Sequence, residues 1–295
     1  MSLWIWITLF AALVQTLRFM LQKRLKGIGL STGGATFSRF LFAAPLAALA
    51  ALTVLTLGGE VVPRPSAAFF GFALLGGLAQ VIATFLTVAL FSLRNFAVGV
   101  AFTKTETVQV ALFSWLVLGE VVGAFELVAI AVGIIGVILL IRGAKGVRFD
   151  RRAALYGVAA GALFGISAIG YRGATAELLP MSFVARALVA LSFVTCAQSI
   201  GMAIYLRMFE PNELSRVLQA WRKTVWVGVT GVLGSAGWFA AFSLQNAALV
   251  RAVGQVEIVF TLLVSALVFK ERLSARELGG MALVIISLLM IVAAT

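Results

Sequence analysis

No histidine occurs anywhere in the 295 residues. That removes Ser-His-Asp chemistry and imidazole-based metal sites together. Cysteine occurs once, as Cys196 inside an apolar run, so no disulfide can form within the chain and no thiolate cluster can gather. A buried, inert thiol is the reading for it. Aspartate also occurs once, as Asp150 in a polar stretch, so the paired aspartates of a membrane-embedded hydrolase are missing. Charge as a whole is scarce. Asp, Glu, Lys and Arg make up 12% of the chain and hydrophobic residues 62%, against roughly 25% and 45–50% in soluble domains. A soluble protein of this length could not cover its surface with so few charges, so lipid is the expected solvent. No nucleotide-binding motif, low-complexity tract or soluble domain is visible, and no cofactor or nucleic-acid partner is expected.

What the chain does have is apolar segments of membrane-spanning length. A hydrocarbon core of about 30 Å needs roughly 20 apolar residues per helix. Ten segments meet that length: 3–22, 35–57, 67–91, 96–118, 122–141, 154–173, 181–206, 224–244, 248–269 and 276–293. None alternates polar and apolar at every second residue, which excludes barrel strands. The first lacks a basic leading region and a small-residue cleavage site, and Arg18, Lys23 and Arg24 follow its apolar run; it is expected to be a span and not a secretory leader. The fold class expected is an all-α polytopic membrane protein of ten transmembrane helices.

The stretch from Gly77 to Ile141 returns from Gly228 to Val292, displaced by 151 positions without a gap. Phe91-Ser92-Leu93 and Asn95 return as Phe242-Ser243-Leu244 and Asn246. Glu106, Ser114 and Glu120 return as Glu257, Ser265 and Glu271. A repeat this long means one structural unit used twice. Residues 1–141 form a first five-helix repeat, 142–153 a linker, and 154–295 a second repeat. Five spans is an odd number, so the second repeat enters the membrane upside down relative to the first, the arrangement of many secondary transporters.

Lys and Arg set the orientation. Of the 23 in the chain, 18 lie in or beside the loops after spans 1, 3, 5, 7 and 9, four lie on the other side, and Lys104 is left in the middle. The positive-inside rule puts the odd loops, including the 142–153 linker, in the cytoplasm and both termini outside. A cell or inner membrane is the expected location. Arg18, Arg39, Arg172, Arg186 and Arg251 lie near enough to span ends to snorkel. Trp4, Trp6, Trp221 and Trp226 sit at span ends as interfacial anchors. Gly157, Gly161 and Gly165 recur by four along span 6, and Gly228, Gly231, Gly234 and Gly237 by three along span 8; such spacing lets helix backbones approach closely.

The blocks Leu116-Val117-Leu118-Gly119-Glu120 and Phe269-Lys270-Glu271-Arg272-Leu273, each about seven residues before the next span, resemble a signature of the drug/metabolite transporter superfamily in its EamA-type branch. The resemblance covers nearly the whole chain and lies nearest to bacterial exporters of amino acids and related metabolites. It implies a ten-helix carrier working by alternating access. Two departures stand out. That family commonly has a proline just past the middle of spans 4 and 9, where this chain has Thr107 and Ile258. Many relatives have cytoplasmic termini, the reverse of the charge count here. The small multidrug members use a glutamate in their first span, whereas span 1 here holds Gln15 and Arg18 and no acid, which argues against cationic drugs.

Ionisable groups deep in a membrane are costly and point to function. Glu106 and Glu257 lie nine or ten residues into spans 4 and 9, about 15 Å at 1.5 Å per residue, which is the midplane. Lys104 is one step shallower. On a continuous helix Lys104 and Glu106 would point to nearly opposite sides and could not pair with each other. The candidate substrate site is therefore Lys104, Glu106 and Glu257, with Gln255, the counterpart of Lys104, and with Gln80, Thr84 and Gln15 as further polar groups. Phe164 and Trp238, with Phe239 and Phe242, would supply an aromatic wall. An acid and a lysine on opposing helices suit the two ends of a zwitterion, so amino acids are the expected cargo, with proton coupling through a surplus carboxylate. The alternatives are a carrier of another metabolite or drug (an amine, a sugar, a nucleotide sugar), a channel, or a membrane-embedded enzyme acting on lipid. Two fused halves permit a monomer.

Overall fold

The structure, a computed structural model, describes residues 2–93, 103–104, 106–143, 151–268, 270 and 274–294. Every regular element among these is helical. The long helices are α1 (Leu3–Gly27), α2 (Thr32–Gly58), α3 (Ala67–Leu93), α4 (Glu106–Leu118), α5 (Ala124–Gly143), α6 (Arg151–Ala176) and α7 (Phe183–Phe209). After them come a short α8 (Glu213–Gln219), then α9 (Trp221–Leu244), α10 (Ala247–Val253), α11 (Glu257–Leu267) and α12 (Ala275–Ala294). Among the described residues, seven stretches are long and apolar enough to cross a membrane, the α10–α11 run counting as one, and three shorter apolar helices accompany them. The chain is a polytopic membrane protein. Its outer surface agrees: Leu49, Leu52, Leu57, Leu75, Ile200 and Leu267 are exposed apolar side chains that water would not favour but lipid does.

Short polar residues set the helix ends. The Ser31 hydroxyl accepts from the Gly34 N–H at the start of α2, and Ser182 does the same for Ala185 at the start of α7. Gly59 closes α2 in the left-handed region at φ 62°, where a residue with a Cβ is disfavoured.

The helices pack in pairs: α1 on α9, α3 on α6, α2 on α7, and α5 on α12. A shift of 151 positions carries α1 onto α6, α2 onto α7, α3 onto α9, α4 onto α11 and α5 onto α12. Under that exchange the α1–α9 pair becomes the α6–α3 pair, and the α2–α7 and α5–α12 pairs map onto themselves. The tightest pairs therefore join one half of the chain to the other, and few are made within a half. Small residues make this possible. A Cβ built on Gly170 of α6 would lie 2.6 Å from the Phe72 carbonyl oxygen and 2.7 Å from Gly76 Cα on α3.

Several expectations change here. The connection from Arg207 to Lys223 is not merely polar loop, since it folds α8. Spans 4 and 9 are not regular α-helix throughout, as described below. Cys196 is half-buried, not fully enclosed. Trp4 packs in the core, while Trp6, Trp221 and Trp226 face outward. Most of the 142–153 linker, Asn95 and Glu271 lie outside the described residues.

Candidate functional site

The two helices that carry Glu106 and Glu257 both depart from regular α-helix just before the acid. Lys104 stands in a turn and α4 opens on Glu106. In the other half α10 ends at Val253, a 3-10 turn spans Gly254–Val256, and α11 opens on Glu257. Glu106 thus lies in the first turn of α4, where the positive end of the helix dipole favours a carboxylate, while Glu257 follows a tightened turn in a backbone that stays helical from Ala247. Gly254 is required at the tightened turn: a Cβ there would come within 2.6 Å of the Trp238 indole.

These departures bring four charges together across the two halves. Lys104 Nζ lies 2.6 Å from Glu257 Oε2 and 3.6 Å from Glu106 Oε1. Arg251 pairs with Glu106 through Nη2 and Oε2. The cation of each half is therefore paired with the acid of the other. Gln15 Nε2 donates to Glu257 Oε2 at 2.8 Å, and Trp238 Nε1 donates to Gln15 Oε1 at 3.0 Å. The Arg251 guanidinium sits 4.6 Å above the Trp238 ring, and Trp238 stacks on Phe242. Lys104, Glu106 and Glu257 are 3%, 2% and 0% exposed, so the centre is shut from solvent in this conformation. At such burial removing one partner of a pair costs about 3–5 kcal/mol, because the other charge is left stranded. Among the described residues Glu257 Oε1 has no partner.

Three corrections follow. Lys104 and Glu106 do approach each other, because the turn at Lys104 breaks the helical geometry that would have separated them. Arg251 does not snorkel; it is buried and completes the charge quartet, so the centre is neutral and carries no surplus acid. Gln255, the repeat counterpart of Lys104, makes no hydrogen bond to the quartet among the described residues. Its amide oxygen lies against Gly133 of α5 and Ser287 of α12, and both ends of the amide are without a partner among the described residues.

Two further site candidates, Thr84 and Gln80, fall in a second polar cluster. Arg39 Nη1 donates to Thr84 Oγ1 at 2.9 Å and Nη2 to Ser235 Oγ at 3.0 Å. Arg18 Nη1 donates to Gln22 Oε1 at 3.3 Å. Neither arginine snorkels; they are 1% and 2% exposed. Beside them the Tyr171 hydroxyl donates to Gln80 Oε1 at 2.8 Å, Gln198 Nε2 reaches the same oxygen at 3.1 Å, and Tyr171 stacks on Phe239 with centroids 4.1 Å apart. Phe164 joins neither cluster. It packs in an apolar group with Phe19 and Phe91. Arg18, Arg39 and Arg251 are the residues that sequence reasoning missed. Their one signal was position, three or four residues inside a span end, and that admits snorkelling equally.

Both membrane faces are tied between halves. On one, Glu120 accepts from Arg172 Nε at 2.7 Å, from Ser114 at 2.6 Å and from the Ala247 N–H at 3.3 Å, while Arg172 also reaches the Phe242 carbonyl at 2.8 Å. The same face holds Glu60, whose carboxylate accepts from the Ser182 hydroxyl and backbone N–H, contacts that hold its pKa below the usual carboxylate value. On the other face Ser31 hydrogen-bonds Glu210, and its N–H donates to Glu213 at 2.6 Å. A cavity of about 420 Å³ lies apart from the charges, an apolar groove between α3 and α7 lined by Leu74, Leu78, Ile82, Phe85 and Tyr205. Its lining also includes Gln198, the amide that bonds Gln80 and Tyr171.

Residues 151–293 match the model of the EamA-like transporter family. No curated protein matches the chain. A solved crystal structure aligns with 97% of this chain and 99% of its own at 16% identity, with a TM-score of 0.66. At that identity the likeness is one of fold.

Proposed function

We propose that this multi-pass membrane protein, whose second half matches the EamA-like transporter family over residues 151–293, is a secondary exporter of amino acids. The observation that carries the proposal is the buried quartet of Lys104, Glu106, Arg251 and Glu257, contributed equally by both halves where their helices depart from regular α-helix. Broken helices at the midplane, at the junction of repeats, are where secondary carriers hold their solutes. The exchange of helix pairs under the 151-residue shift supports two inverted five-helix repeats, 1–141 and 154–295, rocking about that junction. Ties between halves on both faces support alternating access, since opening either side needs only that side's contacts to part. Gln15 and Trp238 place a hydrogen-bonding amide and an aromatic surface beside the charges, a combination suited to a small solute with a polar head and an apolar body.

The test is counter-flow in proteoliposomes. Vesicles preloaded with unlabelled L-leucine are expected to accumulate external labelled L-leucine faster than empty vesicles. Flux indifferent to the internal solute would identify a channel, and chemically altered lipid after incubation an enzyme.

The charge distribution supports cytoplasmic odd loops in a cell membrane, with both termini outside. A C-terminal reporter that is active only in the cytoplasm is expected to stay silent, and full activity would reverse the orientation.

A further inference from the structure

We infer that Arg18 and Arg39 form the subsite that receives the carboxylate of the transported solute; the inference rests on the reading of the chain as an amino-acid carrier. Lys104 cannot fill that role as it stands, because Glu257 and Glu106 already neutralise it. Neither arginine has a carboxylate within ion-pair distance among the described residues. Their hydrogen-bond partners are Gln22, Thr84 and Ser235, all neutral, and no carboxylate pairs with either among the described residues. Arg18 Nη2 is buried without any partner there. Each guanidinium also lies against the ring of its neighbour, Arg18 at 4.4 Å from the Phe19 centroid and Arg39 at 5.1 Å from that of Phe40. An aromatic face is a weak substitute for a counter-ion.

The two cations also share one place. A Cβ on Gly231 of α9 would lie 3.1 Å from Arg39 Cγ and 3.8 Å from Arg18 Cδ, so both stems crowd the same glycine surface. Two like charges that close, in a chain's interior, repel each other and pay for lost hydration. A protein keeps such a pair when an anion is to fill it, and a guanidinium fork matches the two oxygens of a carboxylate.

The position relative to the quartet selects the class of anion. Arg18 follows Gln15 by three residues on one face of α1, and Gln15 is bonded to Glu257. Arg18 lies within electrostatic reach of both Arg39 and Glu257. An unpartnered donor, Arg18 Nη2, and an unpartnered acceptor, Glu257 Oε1, are thus offered by neighbouring groups. An α-amino acid presents the complement, a carboxylate beside an ammonium. Trp238, Phe239 and Phe242 are buried on the facing helix and would take an apolar side chain.

The experiment uses the full chain in lipid nanodiscs and compares L-leucine with L-leucinamide, which lacks only the carboxylate charge. Binding is read by thermal protection, which grows with ligand concentration over Kd. The parent is expected to bind L-leucine at least about tenfold tighter than the amide, and Arg18→Gln and Arg39→Gln to bring the ratio near one, the size expected for loss of a charge-assisted contact. The empty variants are expected to fold, because the charge removed had no carboxylate bonded to it and glutamine keeps an amide donor near Gln22, Thr84 and Ser235. A parent that does not discriminate, or a preference that survives in both variants, overturns the inference. So does failure of both variants to fold, which would make the arginines structural. Inorganic phosphate added alone is a further arm, and protection by it without protection by L-leucine would reassign the subsite to a phosphorylated solute. Counter-flow that persists with the amide, while binding shows no preference, would leave the carrier reading standing and remove this inference alone.

Discussion

Glu257→Gln is expected to abolish L-leucine exchange while the protein still folds. Glu257 holds Lys104 at 2.6 Å and Gln15 at 2.8 Å, both through Oε2. A glutamine keeps an acceptor for Gln15 but removes the charge that Lys104 faces. Lys104 then keeps only Glu106 at 3.6 Å, which Arg251 already engages. Glu257→Ala is harsher, since it strands Lys104 in a buried site, at a cost of about 3–5 kcal/mol in stability. Removing both charges together should restore much of that loss, because a neutral pair leaves nothing uncompensated. The double variant Lys104→Met/Glu257→Gln should therefore melt near the parent yet still fail to exchange. Thermal unfolding in nanodiscs and counter-flow on the same preparations separate the two effects. Parent-like exchange by the double variant would make the quartet a structural brace and move the solute site elsewhere.

Gly170→Leu is expected to eliminate folded protein. The obstacle to a Cβ at Gly170 is backbone: the Phe72 carbonyl oxygen at 2.6 Å, Gly76 Cα at 2.7 Å and Gly76 N at 2.9 Å. No rotamer change can relieve a clash with main chain, so α3 and α6 must separate. That pair is among the most extensive in the molecule, and its partner across the repeat, α1 on α9, frames both polar clusters. Even Gly170→Ala should lower folded yield. Gly71 and Gly201, where a Cβ would meet nothing within 4 Å, serve as controls in the same experiment and should accept leucine without loss. Monodisperse yield on size exclusion decides the matter. A Gly170→Leu protein of normal yield and melting temperature would mean the α3–α6 contact opens in the bilayer.

The glycine stripe seen in span 6 was right about the helix and incomplete about the residues. Gly157, Gly161 and Gly165 are all buried, and a Cβ on Gly165 would meet Val110 of α4 at 3.2 Å. The closer contact lies further along, at Gly170 and Gly173 against α3. Spacing says that some helix can come close; which helix does, and at which glycine, depends on the partner's surface.

The all-helical, membrane-spanning class was legible in the chain itself, because lipid as solvent leaves a one-dimensional trace. A span must be long and apolar wherever its neighbours lie, and a duplicated unit repeats at a fixed offset whatever its packing. The burial of Glu106 and Glu257 was legible for a similar reason, since a count of residues put both well inside an apolar span. The pairing of the charges was not. Whether Lys104 meets Glu106 depends on a turn that breaks span 4, and apolar composition runs through such a break unchanged. Whether Arg18, Arg39 and Arg251 snorkel or stay inside depends on what covers them, and those covers, Ser235, Glu106 and Trp238 among them, lie tens to hundreds of residues away in the chain. Only the packing of one half against the other decided that Arg251 closes the quartet and that two arginines stand together beside Gly231 with no carboxylate bonded to either among the described residues.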